Sequence, residues 1–200
     1  MVNEKMDEDL NLIRRFKNGD ETCFDELVKK YQNKIYNLAY RMVHNSEDAW
    51  DLAQETFVQA YNGLSKFKQK STFYTWLYRI CVNRCLNFNQ RKTRSRTINN
   101  ETISEVILMN TPARNTPETD FRQGELKIAI TSAVKQLPDK QRAVFLLRQY
   151  EGLRIGEIAK IMGCSKGTVK AHYFHAVQKL RELLKPWVEN ELSKAKNSIG

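Results

Sequence analysis

The first 111 of the 200 residues contain no proline and only two glycines, Gly19 and Gly63. Both glycines fall where a helical pattern breaks, so long helices are expected on either side. No stretch approaches the ~18 uncharged apolar residues that a membrane-spanning helix needs. The opening MVNEKMDEDLNL is acidic and polar, unlike a secretion signal, so the expected location is the cytoplasm, with no insertion into a membrane. Cysteine is sparse and no CxxC is present. Cys23, Cys81, Cys85 and Cys164 therefore make no disulfide framework and no recognisable zinc set, and are expected as reduced thiols. With three histidines, no Ser-His-Asp constellation and no GxxxxGK[ST] loop, little remains on which to build an enzyme or an ATP-driven machine. No cofactor or metal is expected.

What is present is positive charge, unevenly spread. The net charge is +10. Residues 1–63 hold 8 basic and 12 acidic side chains, net −4. Residues 64–98 hold 9 basic and none acidic; the next 22 residues are net −3, and residues 121–200 hold 15 basic and 7 acidic, net +8. Forty-five consecutive residues, Thr56 to Asn100, lack any acid. Two separated basic blocks suit two contacts along a polyanion, most often nucleic acid.

Apolar periodicity places helices along the chain. Phe24, Leu27, Val28, Tyr31, Ile35, Leu38, Ala39 and Met42 recur at helical spacing behind a candidate cap, Asp20. Ser46 is the next candidate cap, and Leu52, Ala53, Phe57, Ala60 and Tyr61 follow as a stripe. A third helix is expected after Ser71. Residues 93–120 lack aromatics, hold Pro112 and Pro117 and read as a flexible linker, with a short helical turn around Val106–Met109. Helical spacing resumes at Phe121 and ends at Gly152. In residues 153–184 a short helix (Ile155, Ile158, Ala159, Met162) meets the turn Gly163-Cys164-Ser165, and Ser165 can cap a longer helix carrying Val169, Tyr173 or Phe174, Val177 and Leu180. That is the helix-turn-helix pattern. Pro186 is expected to break this last helix. The expected architecture is all-α, with two small helical domains, 1–92 and 121–190, joined by the linker 93–120 and followed by a tail, 191–200.

Three ordered motifs resemble the sigma-70 family of RNA polymerase sigma factors, in its extracytoplasmic-function (ECF) group, over about Leu10 to Leu184. The first is SEDAWDLAQETFVQAY, residues 46–61, where Asp48, Asp51 and Glu55 form an acidic stripe on a helix. The resemblance implies that Asp48, Asp51, Gln54 and Glu55 dock on the clamp coiled coil of core RNA polymerase. Trp50 stands where relatives usually carry a polar or acidic residue.

The second motif is FKQKSTFYTWLYRICVNRCLNFNQRKTRSR, residues 67–96, in which aromatics interleave with cations and amides. Cations track phosphates and rings stack on bases in such a mixture. The resemblance implies recognition and melting of the −10 promoter element by Phe67, Lys68, Lys70, Ser71, Thr72, Trp76, Arg79, Asn83 and Arg84, the loop 67–72 and Asn83 forming a pocket for flipped bases.

The third is the helix-turn-helix, which the resemblance assigns to the −35 element through Lys166, Gly167, Lys170, Ala171, His172, Phe174 and His175. Histidines and Val177 replace arginines common in relatives. Neutral histidine substitutes poorly for an arginine on guanine, so an unusual −35 preference is expected. If His172 or His175 faces phosphate, binding should strengthen as pH falls through about 6.5. The resemblance further implies the flap of the second-largest polymerase subunit as a contact, and an anti-sigma partner, in many relatives membrane-bound. A stand-alone helix-turn-helix regulator would account for 121–184 but leave the acid-free aromatic block unused. A nuclease would need carboxylate clusters that the basic blocks lack.

Overall fold

The computed structural model describes residues 2–99 and 117–197, with side chains from 8 to 95 and from 124 to 190. Among these residues the secondary structure is helical throughout: α1 (Val2–Lys17), α2 (Thr22–Val43), α3 (Ser46–Leu64), α4 (Phe73–Asn99), α5 (Pro117–Lys135), α6 (Asp139–Gln149), α7 (Ile155–Met162) and α8 (Lys166–Asn197). The turn expected around Val106–Met109 lies outside the described residues. No described helix is long and apolar enough to cross a membrane.

Helices α1 to α4 form the first unit. The chain reverses at Gly19, whose φ of 100° only glycine adopts easily. Asp20 is not the cap expected of it. It precedes the cap position, Glu21, and its carboxylate takes the Thr22 hydroxyl at 2.5 Å and the Arg15 guanidinium at 2.7 Å. Those partners hold Asp20 down at about 2.

Leu27, Ile35, Leu38 and Met42 of α2 are fully buried, each contributing about 1.5–3 kcal/mol by leaving water. On α3, Ala49, Ala53 and Ala60 are buried, and their small side chains let the helix pack closely against α2. The cap of α3 is Asn45 rather than Ser46, its side chain accepting the Asp48 N–H at 2.9 Å. Thr72 caps α4, accepting the Thr75 N–H at 3.2 Å. Gly63 is the penultimate residue of α3, beside the break expected there, and a Cβ on it would meet the Trp76 indole at 3.1 Å, so glycine also gives that ring room.

Helices α5 to α8 form the second unit around Val134, Leu137, Val144, Leu147, Ile158, Ile161 and Val169. The helix-turn-helix is built as expected. Gly163 adopts φ 63°, Ala159 is buried, and Ser165 accepts the Thr168 N–H at 3.0 Å. Pro186 does not end α8, which runs through it to Asn197, and Trp187 beside it is half-buried.

The two units pack against each other, α6 and α7 lying on α2 and α4 in one continuous apolar core. Arg142 is 8% exposed and donates to the carbonyls of Met42 (2.8 Å), Leu137 (2.8 Å), Lys135 (2.9 Å) and Val134 (3.3 Å). Beside it His44 ends α2 in the left-handed region, φ 58°. Its Nε2 is buried without a hydrogen-bond partner. Burial, then the charges of Arg142 and Lys135, lower its pKa to about 4.

A histidine that resists protonation when folded destabilises the native state in acid, because the unfolded chain takes up the proton first. Stability is therefore whole above about pH 6.5 and falls between 6.5 and 4, by up to roughly 3 kcal/mol at 1.36 kcal/mol per pH unit. Urea denaturation from pH 7 to 4.5 measures this. His44→Asn, which tolerates the left-handed backbone, is expected to flatten the profile in that window.

Candidate nucleic-acid interface

The motif on α3 presents Trp50, Asp51, Gln54, Glu55 and Val58 to solvent. Trp50 is 53% exposed, its ring 5.0 Å from that of Tyr36 on α2, so the indole is braced from behind. The acidic stripe is not uniformly available. Asp48 is half-buried and pairs with Lys92 at 3.0 Å, and Glu55 pairs with Arg84, both cations belonging to α4. Asp51 and Gln54, flanked by Trp50 and Val58, remain as the outward centre of the face.

Along α4 and the loop before it the acid-free block divides. Phe67 is 6% exposed, with its ring 5.0 Å from Trp76 and 6.4 Å from Phe73, so it is part of the core rather than a wall open to a base. Thr72 is occupied as the helix cap. Arg84 turns toward α3, its Nε donating to Gln59 Oε1 at 3.0 Å. Lys68 and Lys70 are exposed and Ser71 half-exposed. The Lys17 ammonium donates to the Phe67 carbonyl at 2.7 Å, and Gln69 sits at φ 55°. These two features fix the loop that carries the lysines.

Trp76, Arg79 and Asn83 do come together. With Ile80 and Gln59 they line a surface pocket of about 210 Å³. Its lining holds an indole face, a guanidinium and two amides, and no carboxylate. Such a set can stack on an unpaired base and hydrogen-bond its edge. Gln59 is the member that sequence reasoning missed. It sits on a different helix, and only its place one turn beyond Glu55 could have signalled it.

On α8 the residues Lys166, Gly167, Lys170, Ala171, Phe174 and His175 are exposed. Phe174 stands 58% in solvent, while Tyr173 is the inward aromatic, 6.5 Å from Phe145 and nearly parallel to it. His172 is half-buried, and burial, Lys140 and His175 all lower its pKa.

Two family descriptions match the chain: Sigma-70 region 2 over residues 27–95, and Sigma-70, region 4 over residues 127–180. The chain is 35% identical to the RNA polymerase sigma-H factor of Pseudomonas aeruginosa over 90% of its length and 95% of that protein's. It is 33% identical to the ECF RNA polymerase sigma-E factor of Escherichia coli, covering 88% of this chain and 94% of that one. Two solved structures share the fold. They are CnrH in complex with the cytosolic domain of CnrY (TM-score 0.66, 23% identity, 90% of this chain and 98% of that one) and the sigma factor RpoE with the anti-sigma factor NepR from Bartonella quintana (TM-score 0.64, 24% identity, 81% and 96%).

Because burial, then Lys140 and His175, disfavour the charged form, the His172 pKa is lowered, so the imidazole is mainly neutral at pH 7 and adds little phosphate attraction there. An NMR titration of the full chain is expected to give a His172 midpoint below about 6.5, and affinity for duplex DNA no gain from this residue between pH 8 and 6.5. A midpoint at or above that value would contradict the packing described.

Proposed function

The chain belongs to the ECF group of the sigma-70 family, and we propose from that premise how its exposed surfaces divide the work of transcription initiation. A sigma factor binds core RNA polymerase, directs it to promoters and assists strand opening. In our reading, residues 1–92 are the unit for polymerase and the −10 element, 93–120 the linker, 121–190 the unit for the −35 element, and 191–200 a tail. The α3 face centred on Trp50, Asp51 and Gln54 docks on the clamp coiled coil of the polymerase. Asp48 and Glu55 act mainly by holding Lys92 and Arg84. The pocket of Gln59, Trp76, Arg79 and Asn83 captures a flipped base of the −10 element, with Lys68, Lys70 and Ser71 following the backbone. Lys166, Gly167, Lys170, Ala171, Phe174 and His175 enter the −35 major groove, and the second unit also meets the polymerase flap.

The pocket carries this reading. An aromatic face, a cation and amides, with no carboxylate in the lining, suit a base beside its phosphate. A stand-alone helix-turn-helix regulator would leave it without a role. The protein acts by binding, not by catalysis, in the cytoplasm, and an anti-sigma protein, in the membrane or free, is its proposed regulator.

In vitro transcription with core polymerase on a genomic fragment library, with mapping of start sites, tests the function and reveals both promoter elements. Asn83→Ala is exposed and leaves the core intact. It is expected to lower open-complex formation about tenfold, as one lost base contact implies, with affinity for core polymerase unchanged. Asp51→Lys is expected to do the reverse, weakening core binding roughly tenfold. Glu55→Gln should change core binding less than Asp51→Lys, because Arg84 already neutralises that charge.

A further inference from the structure

Arg84 of α4 ties together two side chains of α3. Its Nε donates to Gln59 Oε1 at 3.0 Å, and its Nη1 donates to the Glu55 carboxylate. Gln59 stands one helical turn after Glu55, so a single side chain spans both. The planar fork of an arginine suits such a pair of acceptors, where the point charge of a lysine does not. Gln59 is also the α3 member of the pocket that Trp76, Arg79, Ile80 and Asn83 line from α4.

This contact fixes which way the Gln59 amide faces. A guanidinium only donates, so the amide atom turned to Arg84 is the oxygen. The NH2 group, on the other branch of the same amide, is left over, and among the described residues nothing accepts from it. Arg79 lines the same pocket and is likewise a donor only. A base stacked on the Trp76 indole therefore meets donors from two helices. Asn83 has no hydrogen-bond partner among the described residues, so its amide can turn either way. Donors favour a base edge rich in acceptors. Guanine, cytosine and thymine each carry a ring carbonyl; adenine carries none and shows an amino group instead.

We propose that Arg84 is a positioning residue for promoter reading: by holding the Gln59 oxygen it aims an N–H donor at the captured base and makes the pocket discriminate against adenine. The inference rests on the base capture proposed above. In this role Arg84 acts through Gln59 and does not touch the DNA. Glu55 orients the guanidinium from its other side, so the carboxylate serves base reading as well as the α3 surface.

Open-complex formation by the holoenzyme tests this, on a promoter found by start-site mapping and rebuilt with each of the four bases at every −10 position. The wild-type chain is expected to show a position where adenine lowers open-complex formation about tenfold, the discrimination that one well-made base contact gives. Arg84→Met keeps the aliphatic stem and removes the donors. It is expected to level the four bases at that position and to leave the preferences at the others unchanged. Gln59→Glu keeps an acceptor for Arg84 but turns the free branch from donor to acceptor, and is expected to shift the preference there toward adenine and cytosine, the bases with an amino group beside a ring nitrogen. If Arg84→Met weakens all four bases alike, Arg84 is only a tie between helices and the proposal is overturned. An unchanged preference in Gln59→Glu overturns it too. Asn83→Ala separates the two readings. If that variant opens promoters as well as the wild type, base capture in this pocket fails and the positioning role with it. If it is impaired while the Arg84 and Gln59 variants keep the wild-type preference, base capture stands and only the positioning role falls.

Discussion

Arg142 is the interaction on which the arrangement of the two units depends. A buried guanidinium is expensive unless every donor finds an acceptor. Here its acceptors are the terminal carbonyls of α5, the Leu137 carbonyl in the following turn and the Met42 carbonyl near the end of α2. Helix C-termini carry partial negative charge, so the cation sits where two helix ends favour it. Asp139 adds a carboxylate at 3.2 Å. Burial lowers the Arg142 pKa, but from so high a starting value that it stays charged. One side chain thus shapes the α5–α6 turn and seats it on the first unit. Burial, and after it this charge, keeps the neighbouring His44 neutral.

That arrangement changes what the acids of this basic protein do. Asp48 and Glu55 neutralise cations of α4, Asp139 serves Arg142 and Asn89, and Glu151 gathers two tyrosines. Asp9, 5% exposed, takes Tyr31 at 2.5 Å and Lys30 at 2.8 Å. Carboxylates so used hold helices together more than they attract partners. The α3 face is consequently less acidic than its sequence suggests and more aromatic, with Trp50 supported by Tyr36.

The helix-turn-helix was legible because three local requirements coincide: a small residue at the crossing, a glycine with positive φ and a serine cap. The caps of the first unit were misplaced by one position where neighbours share the chemistry, as Asn45 and Ser46 do. Gly63 reads as a break, and α3 does end beside it; what the sequence does not reveal is that the residue also makes room for the Trp76 ring, thirteen residues on. Pro186 reads as a stop because it lacks an N–H, yet on an exposed helix water can serve the carbonyl left over. The contacts between units left no trace of this kind. Tyr78 and Glu151 are 73 residues apart, and neither belongs to a periodic pattern that demands the other. Arg142 reads as one more surface cation until the carbonyls around it are known.

If the pocket captures a base as proposed, it explains why such a chain needs its polymerase. Its aromatic wall is fixed: Trp76 is held by Phe67, by Phe73 at 5.8 Å and by the gap at Gly63. A wall fixed in advance loses little on binding, but a pocket of about 210 Å³ has room for no more than one base. Stacking returns about 1–3 kcal/mol per base, and extruding a base takes a few kcal/mol. The balance for one base is near zero. Strand opening over several base pairs therefore needs contacts that this chain does not supply alone. A protein that captures a base without opening the duplex by itself is suited to act only after the polymerase has brought the DNA to it.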